Sequence, residues 1–122
     1  MEFKISRAFL SQIETLISEN KSLELLLLLE DIHFADIAEI MGELDDFGAG
    51  YIFKTLDSEK TAEILLELDE EVREKILSNL TPKEIAEELD ELSTDDAADI
   101  IGELTKHLKD QVISELEDVE HA

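Results

Sequence analysis

Residues 80–104 have the sequence LTPKEIAEELDELSTDDAADIIGEL, in which one pattern occurs twice in succession. Each copy begins with a leucine and a hydroxyl residue, whose side chain can accept a hydrogen bond from the first turn of a helix. The first copy adds Pro82 at the first helical position and Glu84 at the position that completes a capping box with Thr81. The stretch therefore predicts two short, separately capped helices.

The leucine of this pattern returns every twelve residues through most of the chain. It is present as Leu44, Leu56, Leu68, Leu80, Leu92, Leu104 and Leu116. The residue after it is Asp, Ser or Thr in six of these seven units, so most units can cap a helix of their own. Twelve residues turn a continuous α-helix about 120° beyond whole turns and would scatter the leucines around it. The pattern therefore predicts short helices that pack on their neighbours, which is a helical solenoid.

Three other positions of the repeat predict how these helices pack. The eighth residue after the leucine, counted also in the preceding unit, is Ile40, Ile52, Ile64, Ile76, Ile100 or Val112, with Glu88 as the exception. The ninth is Met41, Phe53, Leu65, Leu77, Leu89, Ile101 or Ile113. Both positions are predicted to form the core. The sixth is small, at Ala38, Gly50, Ala62, Ala86 and Ala98. These residues, with Gly42 and Gly102, are predicted to let neighbouring helices approach closely.

The N-terminal part of the chain is also predicted to be helical. An amphipathic first helix should end near Glu19, and Ser22 should cap a second helix that continues to about Glu30. No run alternates β-branched and polar residues as a strand would. We therefore predict one all-α domain, with N-terminal helices in residues 1–31 and the helical repeat in residues 32–122.

The charge and composition of the chain exclude several functions. With 33 acids against 10 bases the net charge is −23, which repels nucleic acid and attracts cations or basic partners. No apolar run approaches the ~20 residues of a membrane helix, and no signal peptide is evident. We therefore expect a soluble chain that does not itself insert into a membrane. The absence of cysteine excludes thiolate metal sites and fits a reducing cytoplasm.

The seventh position of the repeat predicts a row of acids. It is occupied by Glu39, Glu63, Glu87 and Asp99, but by Tyr51, Lys75 and Gln111 in the other units. If like helices stack, these acids form a ladder on one face, and Asp95 lies one helical turn before Asp99. Carboxylates without compensating bases suit hard divalent cations such as Mg²⁺. Acids in first turns, including Asp95, also have a purely structural explanation, since they favour the helix dipole.

Other site chemistries are poorly supported. The three histidines, His33, His107 and His121, are far apart in sequence and form no zinc-binding pair. The loop pattern of calcium-binding helix pairs is absent. The chain also contains no glycine-rich phosphate loop and no nucleophile elbow, so we do not expect an enzyme.

Three segments carry a resemblance to a known family. HFADIAEIMGELD (residues 33–45), KTAEILLELD (60–69) and PKEIAEELDELSTDDAADIIGEL (82–104) resemble the intracellular N-terminal domain of MgtE-type magnesium transporters. The resemblance extends from about Ile32 to Glu117. Its most specific piece is ELSTDDAADIIGEL, and its one departure is a phenylalanine where the family usually has proline after histidine.

The resemblance implies a fold and a function. The fold would be a right-handed superhelix of about ten short helices. In the complete transporter, a homodimer, this domain would be followed by CBS domains, a connecting helix and a membrane pore, none of which this chain is expected to contain. Mg²⁺ ions shared between these parts at the cytoplasmic face of the inner membrane would help to close the pore. The acids that match the family's ion-contacting positions are Glu63, Asp95 and Asp99.

Two other functions remain open on the sequence. One is an acidic helical-repeat scaffold for protein–protein interaction, because the flagellar motor switch protein has a related superhelical arrangement and a basic or helical partner would suit the charge. The other is a domain whose acidity is only an adaptation to high salt. Divalent ions distinguish the three, since only the magnesium-sensing domain requires them.

Overall fold

The computed structural model describes residues 5–121, with the surroundings of side chains for residues 5–117. This part of the chain contains nine α-helices and no strand, which confirms the all-α prediction and lies close to the number that the family resemblance implied. The helices are α1 (Arg7–Ser18), α2 (Ser22–Leu29), α3 (Phe34–Glu43), α4 (Asp46–Thr55), α5 (Ser58–Glu67), α6 (Glu70–Ser78), α7 (Pro82–Asp90), α8 (Thr94–Glu103) and α9 (Lys106–His121).

The caps of the repeat explain why the helices are short. At four helix starts, the side chain of the capping residue accepts a hydrogen bond from the backbone N–H three residues later. These pairs are Asp45 with Gly48, Asp57 with Lys60, Thr81 with Glu84, and Ser93 with Asp96. The capping box of Thr81 is complete, because the Glu84 side chain accepts from the Thr81 N–H at 2.9 Å. Each cap sets its residue in extended backbone, so the preceding helix ends there.

The caps differ from the prediction at two helix starts, and a third helix has a cap that was not predicted. Ser22 is the first residue of α2 rather than its cap, and Lys21 at the cap position makes no capping hydrogen bond through its side chain. Asp69 precedes α6 without such a bond. His33 caps α3 instead of a carboxylate or hydroxyl, since its Nδ1 accepts from the Ala35 N–H at 3.1 Å.

The helices pack in two rows. In the first row α3 packs on α5, α5 on α7, and α7 on α9. In the second, α4 packs on α6, while α8 makes only sparse contacts with other helices of the described chain. At the N-terminal end α1 packs on both α2 and α4. In the first row, each helix therefore rests mainly on the helix two places away, as expected for a repeat of helical pairs.

The core follows the repeat closely. The apolar residues at the eighth position are all buried, and those at the ninth are buried in five units of seven. The prediction is wrong for Ile113, which is 39% exposed on α9, and Ile101 is only half-buried. Glu88, the exception at the eighth position, is buried as well, with 8% of its surface exposed.

The small residues at the sixth position of the repeat are buried only in the first row. Ala38, Ala62 and Ala86 are buried on α3, α5 and α7, whereas Ala98 on the loosely packed α8 is exposed. The prediction is wrong for three glycines, because a Cβ at Gly42, Gly50 or Gly102 would meet nothing within 4 Å. Gly48 is the glycine that the fold needs, since a Cβ there would lie 3.1 Å from Asp45 Oδ1 and 3.3 Å from Leu44 Cβ.

Candidate metal-binding surface

The three predicted metal-binding acids lie on two helices, α5 and α8. On α5 the burial of Ile64 and Leu65 turns Glu63 outward, and its side chain is exposed. On α8 the Ser93 cap places Asp95 in the first turn, and Asp99 follows one turn later on the same side of the helix. Both aspartates are exposed.

These three carboxylates have no cationic partner within the described part of the chain. The ion pairs present there join Lys21 to Glu19 at 3.0 Å and Arg73 to Glu103 at 2.8 Å. Glu63, Asp95 and Asp99 also accept no hydrogen bond from a side chain or backbone group outside their own helices. Their oxygen atoms are therefore free to bind an external ligand.

The packing of the helices divides the predicted ladder of acids. Glu39, Glu63 and Glu87 are exposed on α3, α5 and α7, which pack one on the next. Asp99 lies on α8, outside this row of helices. The ladder therefore has three members instead of four, and Asp95 and Asp99 form a separate acidic pair.

The donor chemistry of this surface fits a hard cation better than a soft one. Carboxylate oxygens are suitable ligands for Mg²⁺, which usually keeps several waters and needs few protein ligands. Among the residues whose side chains the structure describes, no three His, Asp or Glu are grouped to hold a metal ion. His33 already uses its Nδ1 in the cap of α3, and the side chain of His121 lies outside the described residues. The carboxylates can therefore supply part of an oxygen site, which water or another surface would complete.

Glu88 is a second acidic feature, and the sequence marked it only as an exception. Its two carboxylate oxygens lie 2.8 and 2.7 Å from the hydroxyl of Thr61, which is fully buried on α5 and donates across the contact between α5 and α7. Burial raises the pKa of Glu88 to about 7. The Thr61 hydrogen bond opposes this rise in pKa, whereas the charges of Glu91, Glu87 and Asp57 add to it.

Arg73 is the other polar residue that the prediction missed. Its Nη1 donates to the carbonyls of Leu65 and Leu68 at the end of α5, at 2.8 and 2.9 Å. Its Nε and Nη2 donate to the two carboxylate oxygens of Glu103 on α8, at 2.9 and 2.8 Å. Thr61 and Arg73 both stand five residues after a repeat leucine, where other units have Ala49, Ile85 or Ala97 and the unit of Leu104 has Lys109. A polar residue at this mostly apolar position is the signal that could have identified both.

The comparison with known proteins finds a family match over the same residues as the helical repeat. A sequence profile described as the MgtE intracellular N domain matches residues 32–122 of this chain. No curated protein matches the chain. None of the helices within residues 5–121 is both long enough and apolar enough to cross a membrane. The profile covers most of the sequence, from α3 through α9. The chain therefore belongs to the family of MgtE intracellular N domains, which are domains of magnesium transporters and not an enzyme family.

Proposed function

We propose that this domain regulates a magnesium transporter by sensing intracellular Mg²⁺ through Glu63, Asp95 and Asp99 and by helping to close the pore when Mg²⁺ is high. The observation that supports this function is the combination of family membership with three exposed carboxylates that have no cationic partner. The helix dipole explains an acid in a first turn, such as Asp95, but not Glu63 or Asp99, which lie beyond the first turns of their helices.

Because no three acids of the described chain are grouped around one point, the ions would have to be shared. The proposed second surface is provided by the CBS domains and the connecting helix of the same transporter, within a homodimer. Two acidic surfaces repel each other until divalent ions neutralise them. An ion that binds only the closed arrangement shifts the population toward closure as its concentration rises, which is the property of a sensor.

The first test measures ion binding by the isolated domain. We would follow backbone amide shifts during a titration with MgCl₂ and compare them with KCl at matched ionic strength. Saturable, magnesium-specific shifts around Glu63, Asp95 and Asp99 are expected if the domain holds part of an ion site. Shifts that potassium reproduces would indicate only screening. Any sensing would then depend on the assembled interface, which the second test addresses.

The second test measures gating in the complete transporter. Glu63→Gln combined with Asp95→Asn and Asp99→Asn should raise the Mg²⁺ concentration needed for closure, because each bound ion would then stabilise the closed state less. The matched control is Glu14→Gln with Glu24→Gln and Asp31→Asn, which removes the same charge from exposed positions of α1, α2 and the turn after α2. Unchanged gating in the first variant, or equal effects of both variants, would contradict a specific role for the three acids.

Adaptation to salt is the alternative that needs no site. It predicts that potassium stabilises the domain against thermal unfolding as well as magnesium does at the same ionic strength. A scaffold function is favoured by a different observation, an apolar groove at the N-terminal end of the molecule.

A further inference from the structure

An apolar groove lies between α2 and α4, away from the acids proposed to sense Mg²⁺. Leu23 on α2 is 68% exposed and Phe47 on α4 is 71% exposed. Together with Leu26 and Tyr51 they line an open space of about 910 Å³. Leu27, which follows Leu26 on α2 but does not line this space, is 61% exposed. Single exposed leucines are ordinary on protein surfaces, but large apolar side chains clustered around one groove mark an interaction site.

The walls of this groove are held in place before any ligand arrives. The hydroxyl of Tyr51 donates to Asn20 Oδ1 at 2.7 Å, which ties α4 to the turn between α1 and α2. Asn20 has a φ of 56°, so this turn has a defined left-handed conformation. At the other end of α2, Lys60 Nζ donates to the carbonyls of Leu29 and Glu30 at 3.3 and 3.4 Å. Binding therefore needs little ordering of the groove.

Ion sensing does not account for this groove. Glu63, Asp95 and Asp99 lie on α5 and α8 and do not line it. The wall formed by α2 also lies before the start of the family match at residue 32. The groove is therefore formed jointly by the N-terminal helices and the repeat, and the proposed sensing role does not use it.

Charge decides which occupant suits the groove. The charged residues lining it are Asp46 and Lys54, which cancel, whereas the whole chain carries −23. A second copy would bring a further −23 and would present a concave surface to a concave surface. A helix with apolar side chains on one face and lysines or arginines on the other would fill the groove and be attracted by the surrounding field. We propose that the groove between α2 and α4 binds a basic amphipathic helix of a partner protein.

The test uses a synthetic amphipathic peptide with leucines on one face and lysines on the other. Titrated into the ¹⁵N-labelled chain in EDTA, it should shift the amides around Leu23, Phe47 and Tyr51 and saturate. A peptide of the same composition with its leucines distributed around the helix should bind at least about tenfold more weakly, because it cannot place an apolar face in the groove. The use of EDTA separates this result from any effect of Mg²⁺.

Two double variants locate the site. Leu23→Ser with Phe47→Ser should weaken binding at least about tenfold, since central apolar anchors dominate such interfaces. Leu66→Ser with Ile113→Ser also removes two exposed apolar residues, but on α5 and α9, and should leave affinity unchanged. All four side chains are solvent-exposed, so both variants should fold, which matching melting temperatures would verify.

Three results would overturn the proposal. The first is equal peptide affinity in the two double variants. The second is equally tight binding of a peptide whose lysines are replaced by glutamates. The third is concentration-dependent dimerisation in sedimentation that Leu23→Ser with Phe47→Ser abolishes, because the occupant would then be a second copy. Peptide binding should survive in Glu63→Gln, Asp95→Asn, Asp99→Asn, so failure of the sensing role and failure of this proposal are distinguishable.

Discussion

At the scale of single residues, Glu88 couples the folding of the domain to pH. Its pKa is about 7 when folded, against an ordinary value of 4.5, so the folded chain keeps a proton that the unfolded chain has released. Between pH 4.5 and about pH 7 the free energy of unfolding falls as pH rises, by up to about 3 kcal/mol in total. The stability from this group is complete below pH 4.5 and lost above about pH 7.

We expect Glu88→Gln to remove this part of the pH dependence. The amide has nearly the shape of the protonated acid and stays neutral, so the variant should be more stable than the parent at pH 8 but not at pH 4.5. Denaturant unfolding at a series of pH values measures the difference between the two chains. Asp90→Asn, an exposed change on the same helix, provides the control for loss of one charge. A constant difference across this range of pH would contradict the coupling.

Gly48 and Gly50 differ in what a methyl group would meet. Gly48→Ala should destabilise the domain by about 1–3 kcal/mol, because its Cβ would press on Leu44 and on the Asp45 cap. Gly50→Ala in the same helix should stabilise it by up to about 1 kcal/mol, since the space is open and alanine favours helix. Thermal unfolding of both variants tests this, and equal effects would be inconsistent with the packing around Gly48.

The sequence could predict Gly48 less well than the buried isoleucines. Every isoleucine at the eighth position of the repeat is buried, whereas a glycine is required only where two atoms approach closely. Gly42, Gly50 and Gly102 have the same side chain and open surroundings. The distinction lies in distances between elements, which periodicity does not contain.

At the scale of helices, Arg73 joins three elements through one guanidinium. From α6 it binds the last carbonyls of α5 and the carboxylate of Glu103 on α8. The hydrogen bonds to Glu103 raise the pKa of Arg73, and the Arg73 side chain is only 12% exposed. Because α8 makes sparse contacts otherwise, this residue is a principal attachment of α8 to the rest of the described chain.

We expect Arg73→Lys to destabilise the domain by about 1–3 kcal/mol. An ammonium group cannot donate to two carbonyls and both carboxylate oxygens in the same planar arrangement. Hydrogen exchange should also accelerate in α8 more than in α5. The exposed pair of Lys21 and Glu19 offers a control, since Lys21→Ala should leave stability nearly unchanged. Equal losses in both variants would argue against the attachment.

The sequence could predict that these helices form, because a capping side chain and the backbone N–H that it binds lie within the same four residues. Asp45, Asp57, Thr81 and Ser93 all form the predicted capping hydrogen bonds. The error at Ser22 has a local cause. The turn at Asn20 places Lys21 at the cap position, and the Leu25 N–H donates to the Lys21 carbonyl as the first helical bond.

At the scale of the whole molecule, charge and packing oppose each other. A net charge of −23 creates repulsion that the core must overcome, and salt screens that repulsion. We therefore expect the melting temperature to rise by several degrees between low and physiological KCl. Substituting MgCl₂ at equal ionic strength should raise it further if the folded domain binds the ion. A melting temperature independent of KCl would show that the acids are too well separated to repel.

The sequence could predict the candidate metal-binding surface only in part, because it does not show which helices pack together. The twelve-residue spacing places an acid on an outward face of α3, α5, α7 and α8, but the row to which a helix belongs is a property of the packed molecule. Asp99 is therefore exposed on its helix as predicted, but that helix lies outside the row that carries Glu39, Glu63 and Glu87. The right-handed turn of the superhelix, which came from the family resemblance, stays a prediction.

The division of the helices into two rows also bears on how such a chain can change in length. Two consecutive units, 24 residues at the twelve-residue spacing, add one helix to each row. Tandem duplication or deletion of a whole pair would keep every remaining helix in its row. Loss of a single unit would instead move all later helices into the opposite row, where each would meet different neighbours. We therefore expect the repeat to tolerate changes of length in steps of two helices.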